Sequence, residues 1–170
     1  LKKMGVQYKI VDGYINAKAI NGLKGAKIKF PKISVGATEN LMIAACLAKG
    51  QTILSNCAIE PEIKDLSNFL CSIGAKIFWT CKRQVKIVGV KNFKQSNYRI
   101  MFDRIEAGTM LVAAAINQGN LRITEIESDI LKTEIHILKK IGAKIIQKKN
   151  EITIKGSKKI KNINIKTSPY

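Results

Sequence analysis

Leu138-Lys139-Lys140-Ile141-Gly142 repeats Leu1-Lys2-Lys3-Met4-Gly5 almost letter for letter, and Leu70-Cys71-Ser72-Ile73-Gly74 stands between them. The three glycines lie 69 and 68 residues apart. A period near seventy is too long for helix-pair solenoids and suits a supersecondary unit that holds both helices and strands. In each stretch the glycine closes the end of a helix. The outer copies are cut. One opens at its last helix, without an initiator methionine, and the other reaches Ser168-Pro169-Tyr170 where another unit should begin. The chain therefore reads as a piece of something longer.

The complete copy runs from Lys27 to Gly89. Lys27-Ile28-Lys29-Phe30 is strand-like and is broken by Pro31. Thr38 is placed to cap a helix over Glu39 to Lys49, whose Leu41, Ala44, Ala45 and Ala48 share one face before Gly50 stops it. Thr52-Ile53-Leu54 follows as a short strand. From Glu62 a second amphipathic helix carries Ile63, Leu66, Leu70 and Ile73 to Gly74. Strands over Ala75 to Trp79 and Gln84 to Val88 close the unit.

The later copy repeats this order with helices over Glu106 to Asn117 and Ile130 to Ile141 and strands over Leu121 to Thr124, Ala143 to Gln147 and Glu151 to Lys155. Ala44-Ala45 with Gly50 aligns on Ala113-Ala114 with Gly119. The first 30 residues supply a partial copy with strands at Tyr8-Lys9-Ile10 and Tyr14-Ile15-Asn16. Each unit reads βαβαββ. Alternation such as Ile152-Thr153-Ile154-Lys155 means that each sheet buries one face on helices and shows the other to water. The fold class expected is mixed α/β (α+β), with helices inside and an outer wall of sheets. Strands left unpaired by the cuts favour marginal stability and aggregation.

The 170 residues, 46% of them hydrophobic, suit a soluble globular chain with one ordinary core or two small ones. No apolar run reaches the length of a membrane span, and Leu1-Lys2-Lys3-Met4 lacks a signal-peptide core. A cytoplasmic setting follows. The net charge of +18 comes from 30 basic against 12 acidic residues, and only Arg83, Arg99, Arg104 and Arg122 are arginine. Lysine spread over every segment without interleaved aromatics describes a solvated surface rather than a nucleic-acid or membrane patch. Cys46, Cys57, Cys71 and Cys81 show no metal-ligand spacing, and His136 lies far from them in sequence. Cys46 and Cys71 read as small buried hydrophobes.

Lys32-Ile33-Ser34-Val35-Gly36-Ala37-Thr38-Glu39-Asn40 joins a strand to a helix N-terminus, where free backbone N–H groups and the helix dipole favour an anion. Gly36 allows close backbone approach, Ser34 and Thr38 add hydroxyls, and Lys32 adds a charge for a phosphate oxygen. Such turns also serve simply as helix caps.

That segment, then Glu60-Pro61-Glu62-Ile63, then Asp103-Arg104-Ile105-Glu106-Ala107-Gly108-Thr109, occur in one order and spacing. In these motifs the chain resembles the UDP-N-acetylglucosamine 1-carboxyvinyltransferase family of enolpyruvyl transferases, over essentially all of its length. The resemblance implies transfer of the carboxyvinyl group of phosphoenolpyruvate to the 3-hydroxyl of UDP-N-acetylglucosamine with release of phosphate, the first committed step of peptidoglycan synthesis. It implies no metal or organic cofactor, a monomeric full-length form, and an inside-out α/β barrel of βαβαββ units.

By the resemblance, Lys32, Ile33, Ser34, Val35 and Gly36 bind the UDP-sugar. Asp103, Arg104 and Glu106 mark the crossing between two domains, either as a cleft or hinge or as a salt-bridged helix start. Residues 1–101 then belong to the UDP-sugar side domain and 102–170 to the second. The family's reactive cysteine loop, Lys-Asn pair and arginine loop fall before Leu1, and its catalytic aspartate falls after Tyr170. No residue here is therefore expected to be catalytic, and the 170 residues alone should not turn over. Phe102 stands where the family commonly has proline, and Ile59 where it commonly has a basic residue. The nearest alternative is 3-phosphoshikimate 1-carboxyvinyltransferase, which the segment Lys32 to Gly36 disfavours. A basic non-enzymatic nucleic-acid module would instead show binding that falls steeply with salt.

Overall fold

The computed structural model describes residues 1–167, and these divide into two compact units, 1–100 and 101–167. The start of another unit expected at Ser168-Pro169-Tyr170 lies outside the described residues.

In the first unit a 3₁₀ turn, Lys2–Met4, ends at Gly5 and leads into the hairpin β1 (Gln7–Val11) and β2 (Tyr14–Lys18). Asp12 and Gly13 turn the hairpin with φ of 51° and 80°, the left-handed pair that matches strand twist. Then come β3 (Lys27–Lys29), α1 (Val35–Cys46), β4 (Gln51–Ser55), α2 (Pro61–Ser72), β5 (Lys76–Cys81) and β6 (Gln84–Val88). This is the expected βαβαββ order. The sheet is ordered β3-β4-β6-β5, with β3 parallel to β4 and the other pairs antiparallel.

The second unit holds α3 (Arg104–Ile116), β7 (Asn120–Thr124), a 3₁₀ turn at Ser128–Leu131, α4 (Lys132–Lys140), β8 (Lys144–Lys148) and β9 (Glu151–Lys155), with sheet order β7-β9-β8. Here the expectation of a full βαβαββ copy is corrected. Among the described residues no strand precedes α3. The stretch before it, Lys91-Asn92-Phe93-Lys94-Gln95-Ser96-Asn97, lacks alternation, and Tyr98 is held on α2 by a hydroxyl hydrogen bond to Asp65 Oδ1 (2.8 Å) and an edge contact with Phe69 (5.5 Å).

Alternation sets the cores. β4 buries Thr52 and Leu54, and β6 buries Val85 and Ile87, against Met42, Ala45 and Cys46 of α1 and Ile63 and Leu70 of α2. In the second unit Ile152 and Ile154 of β9 pack with Leu111, Ala115, Leu131, Ile135 and Leu138. Helices α1 and α3 are apolar on more than their sheet-facing side, leaving Ile43, Leu47, Met110, Val112 and Ile116 exposed.

The repeat is visible atom by atom. Gly5, Gly74 and Gly142 take φ of 89°, 100° and 111°. One residue before each, the carbonyls of Met4, Ile73 and Ile141 accept hydrogen bonds from the amides of Lys24, Lys94 and Lys161 at 3.0, 2.9 and 3.0 Å. Each complete sheet also ends on a glycine jammed against a helix end: a Cβ on Gly89 would collide with the carbonyl oxygen of Ala48, and one on Gly156 would sit 2.6 Å from that of Ala114.

Candidate functional site

Ser34, not Thr38, caps α1. Its backbone is extended (φ −147°, ψ 123°) and its Oγ accepts from the Ala37 amide at 3.3 Å, so α1 begins a full turn earlier than the expected Glu39 and ends at Cys46 rather than Lys49. Thr38 lies inside the helix and is fully buried. Its hydroxyl donates to the Ser34 carbonyl (2.7 Å) and accepts from the Ala58 amide (3.0 Å), a pairing strong enough to draw it away from capping. Gly36 correspondingly sits in the first turn of the helix and not in the preceding turn. Nothing lies within 4 Å of where its Cβ would be, so open space faces the backbone there.

The Thr38–Ala58 bond brings two of the three motifs together, because Ala58 lies just before Glu60-Pro61-Glu62. Asn56 strengthens the junction: in a left-handed conformation (φ 61°) its Nδ2 donates to the Phe30 carbonyl at 3.0 Å. Arg83 Nη1 donates to the Cys57 carbonyl at 2.9 Å, tying the β5–β6 turn to the same loop. Thr38, Asn56 and Arg83 were not singled out from sequence as supports. Only Asn56, as an asparagine between a strand and a helix, carries a local signal for a left-handed turn.

The charge around the helix starts separates them. Glu62, Glu106 and Glu134 lie in the first turns of α2, α3 and α4, whereas α1 has no acid in its first turn. The amides of Val35 and Gly36 have no acceptor among the described residues, and Lys32 is exposed just ahead of them. Dipole and lysine act in the same direction, so among these helices the α1 start is the one suited to an anion.

Asp103 caps α3, its Oδ1 accepting from the amides of Ile105 (2.8 Å) and Glu106 (3.1 Å). Arg104 is half-buried and Glu106 exposed at the same helix start. Glu60 turns back on its own loop, its Oε2 accepting from the Ile59 amide at 2.8 Å.

The four thiols are free. Cys46 is buried and donates to the Met42 carbonyl at 3.2 Å, and burial, aided by nearby Cys71, pushes its thiol up to about 11. Burial likewise pushes Cys57 up to about 11. Cys71, expected to be buried, is exposed, because it falls on the outer face of α2 while Leu70 beside it faces the core. Among the described residues no three of His, Cys, Asp and Glu gather to hold a metal, and no helix is long and apolar enough to cross a membrane.

The fold is that of an enolpyruvyl transferase. The chain superposes on the enolpyruvyl transferase NikO from Streptomyces tendae with a TM-score of 0.80 at 20% identity, covering 92% of this chain and 40% of that one. It superposes on EPSP synthase from Acinetobacter baumannii with a TM-score of 0.67 at 21% identity, over 97% of this chain and 40% of the other. The sequence model of the EPSP synthase (3-phosphoshikimate 1-carboxyvinyltransferase) family matches residues 1–170, and the chain belongs to that family. Within it, the chain is 68% identical over 170 residues to a UDP-N-acetylglucosamine 1-carboxyvinyltransferase from Pelagibacter ubique, and 45% identical to one from Geotalea uraniireducens. Those matches cover all of this chain but only 41% and 40% of the relatives' own length.

Proposed function

We propose that this chain serves as part of a cytoplasmic UDP-N-acetylglucosamine 1-carboxyvinyltransferase, which moves the enolpyruvyl group of phosphoenolpyruvate to the sugar 3-hydroxyl, releases phosphate and so commits material to cell-wall synthesis. The observation that carries this reading is the 68% identity to a relative of that name across every residue of the chain. The turn Lys32 to Gly36 would hold the UDP-sugar. Its free amides, uncompensated dipole and exposed lysine suit a diphosphate, and the open space over Gly36 leaves room for it.

The chemistry itself would come from residues outside these 170. Phosphoenolpyruvate addition and phosphate elimination need an acid–base pair, and the site described here supplies anion binding alone. Asp103, Arg104 and Glu106 would lie at the crossing between a UDP-sugar side domain, residues 1–101, and a second domain, residues 102–170. In that arrangement the sheets form the outer wall of an inside-out barrel, and the apolar outer faces of α1 and α3 are the surfaces that other helices would cover.

The test is a chimaera in which residues 1–170 replace the matching segment of the Pelagibacter ubique relative, assayed for phosphate release. Release dependent on UDP-N-acetylglucosamine is expected. A folded chimaera that is silent with it, or that prefers shikimate 3-phosphate, would refute the reading.

A further inference from the structure

We infer that Thr38 and Asn56 are positioning residues for the turn over Lys32 to Gly36: through them the loop 55–58 holds both ends of that turn and sets the spacing at which it meets a diphosphate. The inference rests on the reading that this turn holds the UDP-sugar, and it adds the groups that give the turn its shape. Lysine and amides reach the turn from different elements. Lys32 follows the end of β3, and the amides of Val35 and Gly36 open α1. A diphosphate meets both only if the strand end and the helix start keep a fixed separation.

One short loop grips both sides. On the strand side, the Phe30 amide donates to the Ser55 carbonyl at 3.0 Å and the Phe30 carbonyl accepts from Asn56 Nδ2 at 3.0 Å. On the helix side, the Ala58 amide donates to Thr38 Oγ1 at 3.0 Å, and the same hydroxyl donates to the carbonyl of the capping residue Ser34 at 2.7 Å. The span 30–38 is thus tied at each end to residues 55–58. Thr38 and Ala58 are fully buried and Phe30 nearly so, which shields these bonds from competing water. Asn56 suits its place by backbone as well as side chain, since its φ of 61° is one that asparagine adopts more readily than most residues.

The loop is itself anchored. The Cys57 amide donates to the Arg83 carbonyl at 3.0 Å, while Arg83 Nη1 donates back to the Cys57 carbonyl at 2.9 Å. Gln84 Nε2 donates to Ser55 Oγ at 2.9 Å, where β4 pairs Ser55 with Gln84 of β6. The turn therefore takes its shape from the sheet, through loop 55–58, as well as from its own cap. A turn shaped before the ligand arrives loses less freedom on binding, which is how groups that need not touch the ligand raise affinity for it. Thr52 supplies the contrast. It is as fully buried as Thr38, but its hydroxyl has no partner among the described residues.

The experiment is steady-state kinetics in the chimaera, with each substrate varied in turn, for Thr38→Val, Thr38→Ser, Asn56→Gly, Thr52→Val and Lys32→Ala. Thr38→Val keeps the shape and removes the hydroxyl. It should raise KM for UDP-N-acetylglucosamine roughly fivefold, the equivalent of one net hydrogen bond, with kcat and KM for phosphoenolpyruvate near their parent values. Thr38→Ser should restore the KM. Asn56→Gly keeps the left-handed backbone, loses the bond to Phe30 and should act like Thr38→Val, so it carries the test if Thr38→Val does not fold. Thr52→Val removes an equally buried hydroxyl outside the network and should leave the kinetics unchanged. An unchanged KM in both Thr38→Val and Asn56→Gly, beside a raised KM in Lys32→Ala, overturns the inference and leaves the reading of the turn intact. A loss spread equally over kcat and both KM values also overturns it, because that would mark general loosening. An unchanged KM in Lys32→Ala removes the UDP-sugar from this turn, and the inference with it.

Discussion

Thr52 shows how small a change the first core should reward. Its side chain is fully buried in β4 and its hydroxyl finds no partner among the described residues. Thr52→Val keeps the β-branched shape and removes the unsatisfied group, so chemical denaturation should show about 1 kcal/mol of added stability. Gly36 sets stability against function. As Gly36→Ala it gains a better helix former in open space, worth roughly 0.5 kcal/mol or more, yet in the chimaera it should weaken UDP-sugar binding because the methyl occupies the approach. The thiols separate by burial. Cys71 and Cys81 should react with an alkylating reagent in the native state while Cys46 and Cys57 stay protected. Because folding raises the Cys46 and Cys57 thiols from 9.0 to about 11, the unfolded chain loses those protons first on the way up. Stability should therefore hold below pH 9 and fall as pH rises toward 11, which alkaline denaturation would follow.

Among the elements, the glycine that ends each sheet is the tightest joint. Gly89→Ala forces a methyl into the Ala48 carbonyl at the end of α1, with rigid backbone on both sides, and should cost about 3 kcal/mol in an equilibrium unfolding measurement. Strand positions were legible in the sequence because alternation is a local property, and β6 and β9 lie where it places them. Helix starts were less so. Thr38 is a good capping residue by type, but its hydroxyl is claimed by Ala58, twenty residues away, and only the fold shows that partner. A signal did exist, since aligning Ala44-Ala45 on Ala113-Ala114 sets Ser34 on Asp103, and both are caps. The turn over Lys32 to Gly36 was readable as a segment, whereas the bond that holds its helix to the loop before Glu60 was not. The strand missing before α3 was also beyond reach, because Tyr98 leaves the expected path for contacts made on α2.

At the scale of the whole molecule, the chain spans about 40% of the length of the curated relatives it matches, and its helices keep apolar faces that its own sheets do not cover. Both facts agree with a repeat unit shaped to work beside others. Under the proposed function, this portion carries the UDP-sugar contact and leaves the chemistry to other residues. Lys32 is the sharpest probe of it, because Ser34 is engaged as a cap and its loss would also loosen α1. The decisive measurement is the steady-state kinetics of Lys32→Ala in the chimaera with each substrate varied in turn. Loss of one charge-assisted phosphate contact should raise KM for UDP-N-acetylglucosamine roughly tenfold while kcat and KM for phosphoenolpyruvate stay near their parent values. An unchanged KM for the UDP-sugar, or a fall confined to kcat, would mean that the turn over Lys32 to Gly36 does not hold the UDP-sugar.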